Sequence, residues 1–373
     1  MKTKAYIGLD VHKETIAVAV AVAEASRNGE VRYHGAIPNN QQALSSLMKR
    51  LSNKLEIEEI AYEAGPTGYK VYRCLKGWGY NCSVVSPSAI PKNPSDKIKN
   101  DHRDSKTLAR LLRAGELTPI WVPDEIHESV RDLVRSRHAA TKDIKIAKSR
   151  VLSFLLKYDR SYTGKNWSGR HRTWLANQQF ETKAQQITLQ NYLNALDQTE
   201  SRRKQIDEQL EDIIPEWDLY PLVRNLQALR GIAFLIAVTT AAEVGDFARF
   251  AHPSHVMAYM GLVPGEYSSG SSTRAKGITK TGSVLLRKLL YESAWCYRQK
   301  PKVGAWMLQH TPKDIPQEVH DIAWKAQLRL HKRFFSLLQN GKKSQVAVTA
   351  VARELVGFIW DIGRHTNPTS SCA

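Results

Sequence analysis

Residues 5–23, AYIGLDVHKETIAVAVAVA, hold two apolar runs separated only by a short polar stretch around His12, Lys13 and Glu14. Apolar runs of this length, rich in Val and Ile and bounded by polar residues, read as strands. The short join makes them a hairpin, so the chain has to build a sheet around its first residues. VRYHGAI follows the turn signal RNG as a third strand. NNQQALSSLMKRLSN then has helical spacing at Leu44, Leu47 and Leu51. IEEIAYEA is expected as a fourth strand, TGYKVYRCLKGWG as a helix closed by glycine, and NCSVVSP as a fifth strand.

Three antiparallel strands followed by alternating helix and strand is the order of a ribonuclease H-like fold, and it also fits a general α/β sheet. Within it, Asp10 lies inside the first apolar strand. A carboxylate there costs several kcal/mol or more unless it is paired or bound to a cation (about 2–7 kcal/mol even for an uncharged polar group). Glu63 holds a matching place at the end of the fourth strand, where Gly65 and Pro66 stop the run. Asp101 and Asp104, in KNDHRDSKTLARLL, share one face at the start of a helix. Each also has a plain reading: a nucleotide-kinase-type strand aspartate for Asp10, an edge charge for Glu63, helix-start charges for the pair. Taken together, the four could converge on one or two hard cations, the arrangement that serves phosphodiester displacement. His12 shares a strand face with Asp10 and reads as an ordinary polar residue.

From residue 125 to about 215 the strand signals stop. Val130, Leu133 and Val134, and Leu189, Leu193 and Leu196, recur at threes and fours within two long charged segments. These predict two long helices in an antiparallel coiled-coil arm, joined through SYTGKNWSGRHR. After Pro215, short helical segments alternate with glycine turns, then the basic loop GEYSSGSSTRAKGITKTGS and further helices follow. The expected division is 1–124 (α/β), 125–215 (helical arm) and 216–373 (mainly α-helical).

The chain carries 54 Lys and Arg against 36 Asp and Glu, a formal charge of +18. Such an excess points to a polyanionic partner, because cations that neutralise phosphates release counterions. Cys74, Cys82, Cys296 and Cys372 form no CxxC pair, which argues against a zinc knuckle or a disulfide framework. Neither a signal-peptide core nor a membrane-length apolar run is present, so a cytoplasmic protein without a membrane partner is expected.

YIGLDVHKETIAVAV, YEAGPTGY and KNDHRDSKTLARLL resemble the carboxylate motifs of the DEDD transposases of the IS110/IS1111 group of bacterial insertion sequences. LRGIAFLIAVTTAAEVGDFARFAHPSHVMAYMGLVPGEYSSGSSTRAKGITKTGSVLLRKLLYESAW is similar to that family's C-terminal domain, so the likeness spans almost the whole chain. The resemblance implies a RuvC-like domain with Asp10, Glu63, Asp101 and Asp104 as Mg²⁺ ligands. It further implies a serine nucleophile, mapped by the SG step onto Ser269, with Ser268 its neighbour. It also implies recombination of donor and target DNA, a structured bridge RNA as guide in some members, and homodimers assembling to homotetramers. One departure is RGIA, with Arg230 and Ala233, where the family often has a PGIG-like turn. That weakens the expectation of a helix-hairpin-helix contact to DNA there.

Read from the residues alone, YSSGSSTRAKGITKTG is a mobile linker or a phosphate-holding loop in which Arg274, Lys276 and Lys280 supply cations. No spacing separates Ser269 from Ser268, Ser271 or Ser272. Lys97, Lys99, Arg103 and Lys106 surround the aspartate pair and are expected to hold nucleic acid. So are Arg131, Arg135, Lys142 and Lys145, part of a stripe with Lys148 and Arg150, although a solvated helix face fits equally. Trp167, His171 and Trp174 beside Lys165, Arg170 and Arg172 suit stacking on unpaired bases, and Trp174 suits a core as well. Two rival readings are a metal-dependent junction nuclease that uses water and a non-catalytic nucleic-acid scaffold.

Overall fold

The computed structural model describes residues 2–23, 31–91, 100–269 and 272–366, with backbone alone at 267–269 and 272–275. The chain divides into two compact units that meet in sequence at Val122 and Pro123.

The first unit is a five-stranded sheet with helices on both faces. Strands β1 (Thr3–Val11), β2 (Thr15–Val22) and β3 (Val31–Pro38) precede helix α1 (Gln41–Ser52). Strand β4 (Leu55–Glu63), helix α2 (Lys70–Gly77), strand β5 (Cys82–Val85) and helix α3 (Asp101–Arg113) follow. The strand order is β3-β2-β1-β4-β5. The first three strands pair antiparallel, and β4 joins β1, and β5 joins β4, in parallel. This is the order expected from the alternation of strand and helix signals.

Period-two alternation sorts β1 between two cores. Ala5, Ile7 and Leu9 point to the face covered by α1 and α2, where Leu44, Leu47, Met48, Leu51, Val71 and Leu75 close a large apolar cluster. Burial of each large aliphatic side chain there contributes about 1.5–3 kcal/mol. Tyr6, Gly8 and Asp10 point to the opposite face. That face is lined by small residues, Ala19, Ala21 and Ala109, so α3 lies close against it.

The second unit is mainly helical. Helices α4 (Glu125–Lys157) and α6 (Lys183–Ile213) run antiparallel, with the short helix α5 (Gly169–Ala176) between them. Val151 and Leu155 near the end of α4 pack with Leu189 near the start of α6. Ile144 and Ala147 meet Leu196, and Val130 and Val134 share a core with Ile206 and Leu210. Ion pairs Arg137–Asp207 at 2.7 Å and Lys148–Glu200 at 3.1 Å flank the seam. Then come α7 (Tyr220–Leu226), α8 (Phe234–Val244) and α9 (Pro253–Tyr259). A hairpin of β6 (Pro264–Ser269) and β7 (Ser272–Ile278) leads to α10 (Val284–Ala294) and α11 (Ala305–His310). Helices α12 (Gln317–Gln339) and α13 (Ser344–Thr366) complete the unit.

Two expectations change here. The Ser/Gly-rich segment is strand-paired, with Ser269 opposite Ser272 and Ser268 opposite Thr273. Cross-strand pairing satisfies backbone groups that a mobile linker would leave to water. Trp167, Trp174, Phe154 and Phe180 pack around Val151, Leu155 and Leu175, and Trp174 stacks on His171 at 5.7 Å. These rings form a small core at the far end of the helix pair. Among the described residues no helix is long and apolar enough to cross a membrane.

Candidate metal centre

Gly8 sets the geometry. A Cβ built on it would lie 2.3 Å from the Ser105 carbonyl oxygen and 2.4 Å from the Ala109 nitrogen. Only glycine therefore lets α3 descend onto β1, and that descent brings Asp101, the first residue of α3, to the end of β1 where Asp10 stands. The start of α3 is pinned by Asn100, whose side-chain oxygen accepts from the Arg103 amide at 2.8 Å. His102, the next residue, meets the Tyr33 ring edge-on at 4.4 Å between centroids.

Asp10 Oδ2 lies 3.1 Å from His12 Nε2, and the same nitrogen lies 3.3 Å from Asp101 Oδ1. One ligand atom from each of Asp10, His12 and Asp101 falls within 4.8 Å of the others. His12 sits in the turn between β1 and β2, and its backbone is held twice. Its amide donates to Thr15 O at 2.8 Å, and Asn39 Nδ2 donates to its carbonyl at 2.7 Å.

Glu63 enters by register. Gly8 pairs with Ala61 and Leu9 with Tyr62, so the next step along two parallel strands sets Glu63 level with Asp10. Residues level on neighbouring strands share a face, and this is the face that α3 covers. Asp104 lies half-buried one turn into α3. Burial raises the Asp10 pKa, His12 opposes that shift, and the carboxylates of Asp101 and Asp104 add to it. A pKa raised by burial and like charge marks a group that a cation would relieve. The donors are carboxylate oxygens plus one imidazole, a set that fits a hard or borderline divalent cation.

Sequence reading gave His12 no part here, and the structure places its ring between two of the carboxylates. The signal available was the Asp-x-His spacing at a strand end, which keeps both side chains on one face.

Of the cations expected around the aspartate pair, Arg103 is exposed and Lys106 half-buried, and Lys97 and Lys99 lie outside the described residues. On α4, Arg131 Nε donates to the Ala242 carbonyl at 2.9 Å. Arg135 grips the buried Glu243 carboxylate through Nε at 2.9 Å and Nη2 at 3.2 Å. These two guanidinium groups brace α4 against α8, whereas Lys142, Lys145 and Arg150 are exposed.

Ser269 closes β6 and Ser268 precedes it. Arg274 lies on β7, and Lys276 and Lys280 are exposed. The base of the ribbon is tightly built. Arg287 Nη1 donates to the carbonyls of Met260 at 3.0 Å and Thr281 at 2.5 Å. Lys280, with a left-handed φ of 60°, donates its amide to Gly261 O at 3.0 Å. Arg230, the departure at the RGIA turn, is buried and spends its guanidinium on the carbonyls of Gln299, Lys300 and Lys302. It ties the turn to the segment after α10, which explains an arginine where another residue was expected.

Comparison with known proteins agrees with these observations. A transposase family model of the DEDD type matches residues 7–159, and a model described as transposase, IS116/IS110/IS902 family, matches residues 223–306. The transposase-designated protein y4qE of Sinorhizobium fredii is 45% identical over 99% of this chain and 90% of its own length. The transposase for insertion sequence element IS1533 of Leptospira borgpetersenii is 34% identical over 92% of this chain and 99% of its own. Among solved structures, RuvC of Thermus thermophilus matches at 14% identity, covering 31% of this chain and 99% of that one. Its TM-score of 0.23 is too low to carry an argument.

Proposed function

Since the chain belongs to the insertion-sequence transposases of the IS116/IS110/IS902 family, we propose that it recombines DNA through a carboxylate-held divalent cation and a serine nucleophile. The observation that carries this reading is the convergence of Asp10 and Asp101, from different elements, with Glu63 level with Asp10 across β1 and β4.

In this reading Asp10, Glu63, Asp101 and Asp104 hold Mg²⁺ in a RuvC-like domain. When bound, the cation neutralises charge on the phosphodiester oxygens as they exchange. Ser269 Oγ gives up its proton and attacks phosphorus. A phosphoserine ester forms, the bond to the adjoining sugar oxygen breaks, and that oxygen takes up a proton. Rejoining reverses the exchange, as a sugar hydroxyl attacks the ester and the serine hydroxyl is restored. The ester keeps the energy of the broken bond, so no external energy source is needed. Arg274, Lys276 and Lys280 hold phosphates beside the serine, and Arg103, Lys106, Lys142 and Lys145 do so elsewhere. The helix pair serves as a coiled-coil arm, in a homodimer that assembles to a homotetramer. The donor and target DNA are selected by a structured bridge RNA, for which the charge of +18 is suited.

The test is recombination of donor and target plasmids, with denaturing gels and mass spectrometry for protein-linked DNA. Wild type is expected to yield a covalent adduct on Ser269, and Ser269→Ala neither adduct nor product. Adduct retained in Ser269→Ala and lost in Ser268→Ala would move the nucleophile by one residue. Cleavage retained without any adduct would replace the recombinase reading with a water-using nuclease. Recombination unimpaired by Asp10→Asn would leave only a scaffold. Sequencing the RNA that copurifies tests the guide, and random fragments alone would remove it.

A further inference from the structure

We infer that His12 is a nitrogen donor to the cation held by Asp10 and Asp101, making the centre a mixed nitrogen and oxygen site. The inference rests on the carboxylate-centre reading above and extends it by one ligand and a metal preference.

The separations support it. His12 Nε2 lies 3.1 Å from Asp10 Oδ2 and 3.3 Å from Asp101 Oδ1. Neighbouring donors of an octahedral cation at about 2.1–2.3 Å stand √2 times that distance apart, roughly 3.0–3.3 Å. Both separations from Nε2 therefore match adjacent positions of such a shell, and the donor atoms of the two carboxylates lie within 4.8 Å of each other. It is a single nitrogen, Nε2, that faces both carboxylates, so the ring is aimed at the point on which they converge.

The ring is also prepositioned. The His12 amide and carbonyl are both hydrogen-bonded, to Thr15 O and from Asn39 Nδ2, which fixes the turn from which the side chain projects. An imidazole anchored in this way loses little freedom on ligation. Without a cation, the Nε2 proton bridges to the carboxylates. In the ligated form the ring proton sits on Nδ1, and the Nε2 lone pair is donated to the cation.

A nitrogen donor changes which cation binds best. Mg²⁺ favours an all-oxygen shell, whereas Mn²⁺ accepts imidazole readily, so His12 shifts the centre toward Mn²⁺.

The experiment uses the full chain titrated with Mn²⁺ alone, read by electron spin-echo envelope modulation and by isothermal calorimetry. Wild type is expected to show ¹⁴N modulation that changes to the ¹⁵N pattern when histidine is ¹⁵N-labelled. His12→Gln is expected to lose the modulation and to weaken Mn²⁺ binding on the order of tenfold, with a smaller change for Mg²⁺. His102→Gln, a neighbour of Asp101 whose ring meets Tyr33, should keep both signals, and matched melting curves exclude misfolding. Mn²⁺ bound normally by wild type with no histidine modulation, or modulation that survives His12→Gln, overturns the inference and leaves the carboxylate centre standing. Mn²⁺ binding untouched by Asp10→Asn overturns both.

Discussion

The carboxylate end of the sheet and the β6–β7 hairpin carry the two halves of the proposed chemistry, and they are built in opposite ways. Asp10 and Glu63 ride on the centre of a sheet, set by strand register and by helix packing that tolerates no added atom at Gly8. Ser269 rides at the end of a two-stranded ribbon, at whose base Arg287 and Gly261 hold the turn at Lys280. A cation centre needs several donors fixed to within fractions of an ångström. A nucleophile that must attack and later release a strand needs freedom to move. The sheet end, fixed by register and packing, meets the first of these demands.

The largest expected effect tests whether the sheet end is chemically indispensable. Asp10→Asn should lower recombination by about a thousandfold or more, equivalent to several kcal/mol of lost transition-state stabilisation. The same change should raise the melting temperature measured with chelator present. Burial and neighbouring carboxylates raise the Asp10 pKa, so its charge weakens the fold at neutral pH. Activity lost together with stability would instead make Asp10 a structural residue.

Substituting glycines separates the two regions next. Gly8→Ala should destabilise the protein by about 2–3 kcal/mol and abolish activity, because its Cβ meets backbone atoms of α3 that cannot give way. Gly265→Ala on β6 should cost within about 0.5 kcal/mol, since the nearest atom to its Cβ is 3.4 Å away. Gly282→Ala at the ribbon's base should behave like Gly8→Ala in thermal melts, with a Cβ 2.1 Å from the Tyr259 carbonyl and a φ of 66°. A tolerated Gly282→Ala would show that the base gives way around an added Cβ.

The same contrast governs what sequence could reveal. Period-two runs, glycine stops and the leucine spacing of α1 correspond to elements of the sheet, because each is a local consequence of burial. Asp10 stood out as a charge inside an apolar strand, and Asp101 as half of a pair on one helix face. His12 did not, since its role depends on where α3 lands, and α3 is some ninety residues further on in sequence. The pairing of Ser269 with Ser272 was equally hidden, because Ser, Gly and Thr favour turns and reveal strands only through a partner. Arg131 and Arg135 read as a nucleic-acid stripe because their partners, the Ala242 carbonyl and Glu243, lie more than a hundred residues away.

The smallest effect is a difference in pH response. His127 is buried in the second unit, donating Nε2–H to the Ala242 carbonyl at 2.8 Å, and desolvation lowers its pKa from the ordinary value of 6.5. Its unfolded form therefore takes up a proton before the folded form does. The stability it contributes is complete above pH 6.5 and is lost as pH falls from 6.5 toward the lowered value. Asp10 has the opposite sign: its penalty is relieved as pH falls through its raised value, which strengthens the sheet. Acidifying from pH 7 toward 5 in chelator should thus weaken the helical unit relative to the sheet. Hydrogen exchange resolved by region should show amides of α4 and α8 losing protection first. His127→Gln keeps a donor without titrating, so it should flatten the pH dependence of the helical unit and leave that of the sheet unchanged. Equal flattening in both regions would mean that His127 is not what makes the helical unit respond to pH differently from the sheet.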